Sequence, residues 1–136
     1  MKRLTLSLVC SALAAAVAFE ATSLGTGTRF AAAGIIGLPS LVLMIISRRQ
    51  LGTSFSARPE ARALVTTGLY SRIQHPMYLF LDLFLLALII GSGWPILLLG
   101  WGILVVVQII QARREEDMLA GTFGAYYETY KARTWF

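Results

Sequence analysis

His75-Pro76-Met77-Tyr78 stands where a polar stretch meets an apolar one, with Leu64-Val65, Gly68 and Tyr70 before it and Glu115-Glu116 well after it. Proline is favoured at the first position of a helix, where its missing N–H would have no acceptor anyway. His75 then lies at or next to the cap. The free N–H groups and positive dipole end of that helix suit a carboxylate or phosphate. At helical spacing His75, Tyr78 and Asp82 share one face. A plainer role for the first two is a helix cap and an interfacial aromatic anchor. Asp82 sits inside an apolar run, where an acid is costly and faces a cavity or a partner. Its plainer role is a hydrogen bond to a Ser or Thr of the first or second apolar run.

A second polar segment follows the last apolar run. With a 100° step, Glu116, Leu119, Phe123, Tyr127 and Tyr130 form one stripe, and Gln111 and Glu115 are an i, i+4 pair on an adjoining face. One reading is an amphipathic helix on the membrane surface, with Arg113-Arg114 on anionic headgroups. Gly121 and Gly124 weaken a long free-standing helix. A tail folded back over residues 62–78 fits better, bringing a carboxylate, tyrosines and a helix N-terminus into one pocket.

The elements that must position these groups are apolar. The 136-residue chain is 57% hydrophobic and 14% charged, with a mean hydropathy of +0.69. A single soluble domain of this length has too much surface for that composition. Four spans are expected, at about 4–21, 30–47, 76–92 and 94–111. The last two are split at Gly91-Ser92-Gly93-Trp94-Pro95 into a hairpin, because the uncharged run is too long for one crossing of a ~30 Å core. The expected fold is thus a single all-α membrane domain with four transmembrane helices, a cofactor-binding loop at 48–75 and a cytoplasmic helical tail at 112–136. Lys2-Arg3 and the following Leu/Ala run also resemble a cleavable signal peptide. A retained first span gives the more consistent charge pattern.

That pattern has Lys2 and Arg3 before the first span, then Arg48, Arg49, Arg58, Arg62 and Arg72 between the second and third. Arg113, Arg114, Lys131 and Arg133 follow the fourth, and Arg29 alone lies on the other side. The positive-inside rule places both termini and the 48–75 loop in the cytoplasm. The net charge of +5 is therefore a topology signal and not a nucleic-acid surface. One cysteine and one histidine leave no disulfide framework and argue against a metal site.

Taken in order, Leu64-Val65, Gly68, Tyr70, His75-Pro76, Tyr78, a hydrophobic hairpin, Glu115-Glu116, Leu119, Phe123-Gly124, Tyr127 and Tyr130 resemble the isoprenylcysteine carboxyl methyltransferase and phospholipid methyltransferase type of membrane enzyme. The likeness covers about residues 62–133. It implies S-adenosylmethionine as methyl donor, held by Arg62, Ala63, Leu64, Val65, Tyr70, His75, Pro76, Met77, Tyr78 and Glu116. It further implies that Glu115, with Gln111 and Gln74, stands at the reacting centre, and that the acceptor is a lipophilic or small nucleophile arriving from the bilayer.

Two positions depart from the pattern. Gln74 and Gln111 stand where relatives carry arginine, and glutamine cannot form the bidentate charged pair that arginine makes with a carboxylate. A prenylcysteine carboxylate is thus disfavoured as substrate. Two other functions compete, namely a non-catalytic protein of the same fold and an NADPH-dependent membrane reductase. The missing arginines count against the reductase, whose cofactor phosphates would want them.

The charge pattern makes one direct prediction. Reporter fusions at Thr26 and at the C-terminus should report opposite sides of the membrane. Same-side labelling, or a mature protein starting near residue 20, overturns the four-span reading.

Overall fold

The computed structural model describes residues 2–52 and 64–134, with the side chains of residues 2–4 and 6 outside that description. Arg58, Arg62 and Ala63 therefore lie outside the described residues. The remainder is all-helical: α1 (Lys2–Thr22), α2 (Thr26–Leu51), a 3-10 turn (Gly68–Ser71), α3 (Pro76–Ser92), α4 (Leu97–Phe123) and α5 (Ala125–Arg133).

Two of these, α2 and α4, are long and apolar enough to cross a membrane, whereas α3 and the Ser7–Thr22 part of α1 are shorter apolar helices. Large apolar side chains point outward on all of them. Val17 is 68% exposed, Ile35 74%, Leu88 53% and Ile103 68%. Soluble monomers rarely leave apolar patches of that extent uncovered. The outer surface is suited to lipid.

The helices differ from expectation at their ends. α2 runs past 47 to Leu51, so Arg48 and Arg49 fall in its last turn, where cations complement the dipole. Its start at Thr26, rather than near 30, shortens the connection between the first two spans to a tight turn. α4 begins at Leu97, after a turn in which the Leu97 and Leu98 amides donate to the Trp94 and Pro95 carbonyls at 3.1 and 3.0 Å. It does not stop near 111. The span and the first part of the expected tail are one helix to Phe123. The charged stretch after Gln111 is rich in good helix formers, and Gly121 alone does not break it.

α3 is the central helix and touches α1, α2 and α4. Its most extensive contact is with α2, and small residues permit it. A Cβ added at Gly37 would stand 3.1 Å from the Ala87 Cβ, and one added at Gly91 would stand 3.2 Å from the Ala33 Cβ. Small residues that let backbones approach are the usual adhesive between helices in lipid, where burial of apolar surface supplies little drive. The buried hydroxyls of Ser40 and Ser47 donate to the Ile36 and Leu43 carbonyls of their own helix, both at 2.7 Å. On the other side of α3, Leu86, Ile89 and Ile90 pack with Ala18 of α1 and with Trp101 and Val105 of α4.

The close α2–α3 contact is testable. Gly37→Leu should destabilise the folded protein in detergent by about 1–3 kcal/mol, the usual cost of overpacking. Gly34→Leu on the same helix meets nothing within 4 Å and should melt close to wild type. Equal melting temperatures for the two variants would show that α2 and α3 are not in close contact.

Candidate active site

The site is assembled by three anchors. The first is Gln50, in the last turn of α2, whose Oε1 accepts the Leu69 amide at 2.8 Å. Gly68 makes this possible, with φ +61° and a position where a Cβ would come within 2.5 Å of the Gln50 amide group. The 3-10 turn is thereby fastened to α2, and Tyr70 is buried in it. The second anchor is Gly124, whose φ of +49° ends α4 and turns the chain into α5. An L side chain rarely adopts that conformation. The third is Tyr130, whose hydroxyl donates to the Tyr70 carbonyl at 2.7 Å and draws α5 onto the turn. Tyr127, 1% exposed, is packed beneath it. The tail thus folds back, as the glycines suggested.

α3 begins at the floor of this assembly. Pro76 is its first residue and no side chain caps it. The Leu79 amide takes the His75 carbonyl, so the Met77 and Tyr78 amides of the first turn have no acceptor within the helix. The His75 ring stacks on Tyr78, with centroids 5.7 Å apart and planes 20° apart.

Two carboxylates straddle that ring. Glu115 Oε2 lies 3.7 Å from His75 Nδ1, and Glu116 Oε1 lies 3.7 Å from Nε2. Both gaps exceed a hydrogen bond, and the buried Nε2 has no hydrogen-bond partner among the described residues. The other oxygens are occupied. Tyr78 donates its hydroxyl proton to Glu115 Oε1 at 2.8 Å, and Gln111 Nε2 donates to the same oxygen at 3.3 Å. Lys131 of α5 donates to Glu116 Oε2 at 2.7 Å. A helical wheel alone sets Glu116 inward and Glu115 aside. In the fold both face the imidazole, from either side.

The adjoining cavity, of ≈ 120 Å³, is lined by Leu64, Val65, Tyr70, Gln74, His75, Met77, Tyr78 and Glu115 among the expected residues. Leu51, Leu119, Tyr127 and Tyr130 complete it. Gln111 is outside the lining but holds Glu115. Pro76 is buried as the first residue of α3, and Glu116 faces His75 and Lys131 behind the cavity wall. Tyr127 and Tyr130 of the aromatic stripe are the tyrosines that the folded-back tail was expected to bring to the pocket, although neither was named as a cofactor-binding residue. Gln50 and Lys131 gave no local signal, since their partners are 19 and 15 residues away. The partner of Asp82 in the described residues is an amide of α4 and not the expected hydroxyl. The Gln108 amide of α4, turned so that its nitrogen faces the carboxylate, donates to Asp82 Oδ2 at 2.9 Å and to Oδ1 at 3.2 Å.

Electrostatics follow from this geometry. Burial, then the neighbouring Tyr130 and Glu115, pushes the Tyr70 phenol up to about 12, and burial does the same to Tyr130. Both remain protonated donors at neutral pH. Glu116, on the charged part of α4 beyond its apolar stretch, is lowered from 4.5 to about 2 by the facing His75 and the Lys131 ammonium, against the opposing effect of burial.

The phospholipid methyltransferase family matches this chain over residues 27–126. The chain belongs to that family of membrane methyltransferases. No curated protein and no solved structure matches it significantly.

The depressed carboxyl sets a pH dependence. A folded-state pKa below the unfolded one contributes stability that is complete above the unfolded value and is lost as the group protonates in the fold. The excess stability of wild type over Glu116→Gln should be constant above about pH 6 and shrink as pH falls from 4.5 towards 2. Thermal melts of the two proteins across that range check it. A difference that does not depend on pH would separate Glu116 from Lys131 and His75.

Proposed function

We propose that this member of the phospholipid methyltransferase family transfers a methyl group from S-adenosylmethionine to a lipophilic or small nucleophile at the membrane boundary. One observation carries the reading. A helix N-terminus with no side-chain cap, a carboxylate held by Tyr78 and Gln111, and three further tyrosines meet in one cavity.

The residues present fit that cofactor at both of its charged ends. The Met77 and Tyr78 amides, at the positive end of α3, suit its carboxylate. Glu115 and the faces of Tyr70, Tyr127 and Tyr130 suit its sulfonium. When bound, the group supplies an electrophilic methyl on a positively charged sulfur. The chain's own contribution is alignment. Tyr78 and Gln111 fix one oxygen of Glu115, which leaves the other towards the imidazole. His75, stacked on Tyr78, cannot rotate freely. Methyl transfer is an in-line displacement, so this fixation is the main source of rate. Leu64 and Val65 form an apolar wall that keeps water from the methyl.

Gln74 and Gln111 bear on the acceptor. Gln111 is engaged as a neutral donor to Glu115. An arginine there would neutralise that carboxylate and offer further donors to an anionic acceptor. With two neutral amides instead, the site favours an acceptor that is not a carboxylate. Four crossings with both termini cytoplasmic would put this cavity at the cytoplasmic boundary, open to acceptors from the bilayer and to cofactor from the water.

Calorimetric titration of detergent-purified protein tests the cofactor. S-adenosylmethionine and its demethylated product should bind, and NADPH should not. His75→Ala and Tyr70→Ala should each weaken binding about tenfold, the loss of about 1.4 kcal/mol of contact, without lowering the yield of folded protein. Glu115→Gln should reduce methyl incorporation into membrane extracts more than it reduces cofactor affinity, as expected for a group acting at the reacting centre. Full incorporation with Glu115→Gln would remove that residue from the chemistry, and unchanged titrations for both other variants would move the cofactor elsewhere.

A further inference from the structure

A second cavity, of ≈ 180 Å³, lies between α1, α3 and α4. His75 and Tyr78 line it too, so the stacked pair borders both this cavity and the one that holds Glu115. Its remaining walls are mostly apolar, and Cys10 of α1 lies at its edge. Its one charged pair of oxygens is Asp82, held by Gln108. Among the described residues no lysine or arginine lines it.

An acid at this depth needs a reason. Gln108 offers it a neutral amide, which stabilises a carboxylate without cancelling its charge. A cavity with one carboxylate, apolar walls and no facing lysine or arginine among the described residues is complementary to an apolar chain ending in an amine. It repels a carboxylate head and, among those residues, offers no lysine or arginine to a phosphate. We infer that this cavity is the methyl-acceptor pocket, that Asp82 is its specificity-determining residue, and that it takes a lipophilic amine carrying no phosphate.

The inference rests on the methyltransferase reading, and the chemistry balances. The amine arrives as an ammonium and gives one proton to Asp82. The freed nitrogen lone pair forms the new N–CH3 bond as the C–S bond of the sulfonium donor breaks and leaves its electron pair on sulfur. The product is a methylammonium, the donor becomes a neutral thioether, and Asp82 returns its proton to water. The two ligands would meet beside His75 and Tyr78, which border both cavities.

Cys10 gives a readout independent of methyl transfer, because it is the one cysteine of the chain, is exposed, and lines this cavity. Alkylation of Cys10 by N-ethylmaleimide should be slowed by dodecylamine. At an amine concentration about five times its Kd, occupancy would slow the reaction about sixfold. Dodecanoate at the same concentration should not protect, and lysophosphatidylethanolamine should protect much less. Asp82→Asn should abolish protection by the amine while the unprotected alkylation rate and the melting temperature stay near wild type. Protection by dodecanoate equal to that by the amine, or protection that survives Asp82→Asn, overturns the assignment of Asp82. Equal protection by lysophosphatidylethanolamine overturns the exclusion of phosphate. Absence of protection by any amphiphile overturns the pocket itself. S-adenosylmethionine titration of the same preparation keeps these outcomes apart from failure of the methyltransferase reading, because the cofactor would still bind.

Discussion

The imidazole of His75 sits between two adjacent carboxylates, and most of the architecture exists to hold it there. Neighbouring residues on a helix diverge by about 100°, so Glu115 and Glu116 can both approach one ring only if it lies opposite their shared edge. That requires α4 to continue as a helix beyond its apolar stretch, and it requires the start of α3 to lie beside the charged turn of α4. The hairpin at Gly93 fixes the second condition by setting α3 and α4 antiparallel. Each carboxylate is then tied down by its own donors, Tyr78 and Gln111 on one side and Lys131 on the other.

Such a cluster would be expensive in lipid and ineffective in water. In lipid the carboxylates would take up protons, and in water the tyrosines and the helix dipole would lose most of their effect. Half-burial at the end of a membrane helix lies between those limits. Tyr70, Tyr127 and Tyr130 supply the cover, and the hydrogen bond from Tyr130 to the Tyr70 carbonyl closes it. The small-residue contact between α2 and α3 acts at a distance. It aligns the end of α2 with the start of α3, so that Gln50 can fasten the turn that carries Tyr70.

Much of this was legible in the sequence because it rests on local chemistry. The boundaries of α3 follow from His75-Pro76 at one end and Gly93 at the other, and Gly124 marks the fold-back of the tail. The family was legible from ordered short motifs. What was not legible depends on distant pairs. The continuity of α4 through Gln111 was hidden because hydropathy changes there while helix propensity does not. The partners of Asp82, Glu116 and Leu69 lie on other helices, and no periodicity within one segment points to them. Periodicity placed Glu116 on the aromatic stripe and Glu115 on an adjoining face, since a helical wheel assumes a single inward direction. A ring placed between two helix faces gives two.

The same geometry gives the glutamine at 111 a defined partner. An amide there donates one hydrogen bond to Glu115 and leaves the carboxylate its charge, whereas a guanidinium would pair with it and spend that charge. Asp82 of α3 and Gln108 of α4 form a second acid–amide pair, across two helices where Glu115 and Gln111 share one. In both places the amide orients a carboxylate without neutralising it. Carboxylates held this way keep their negative charge available for a positively charged ligand, which under the proposed function would be a sulfonium at Glu115 and an ammonium at Asp82. The two Gln–acid pairs flank the stacked His75 and Tyr78 rings, so both charges bear on the boundary where a methyl group would change hands.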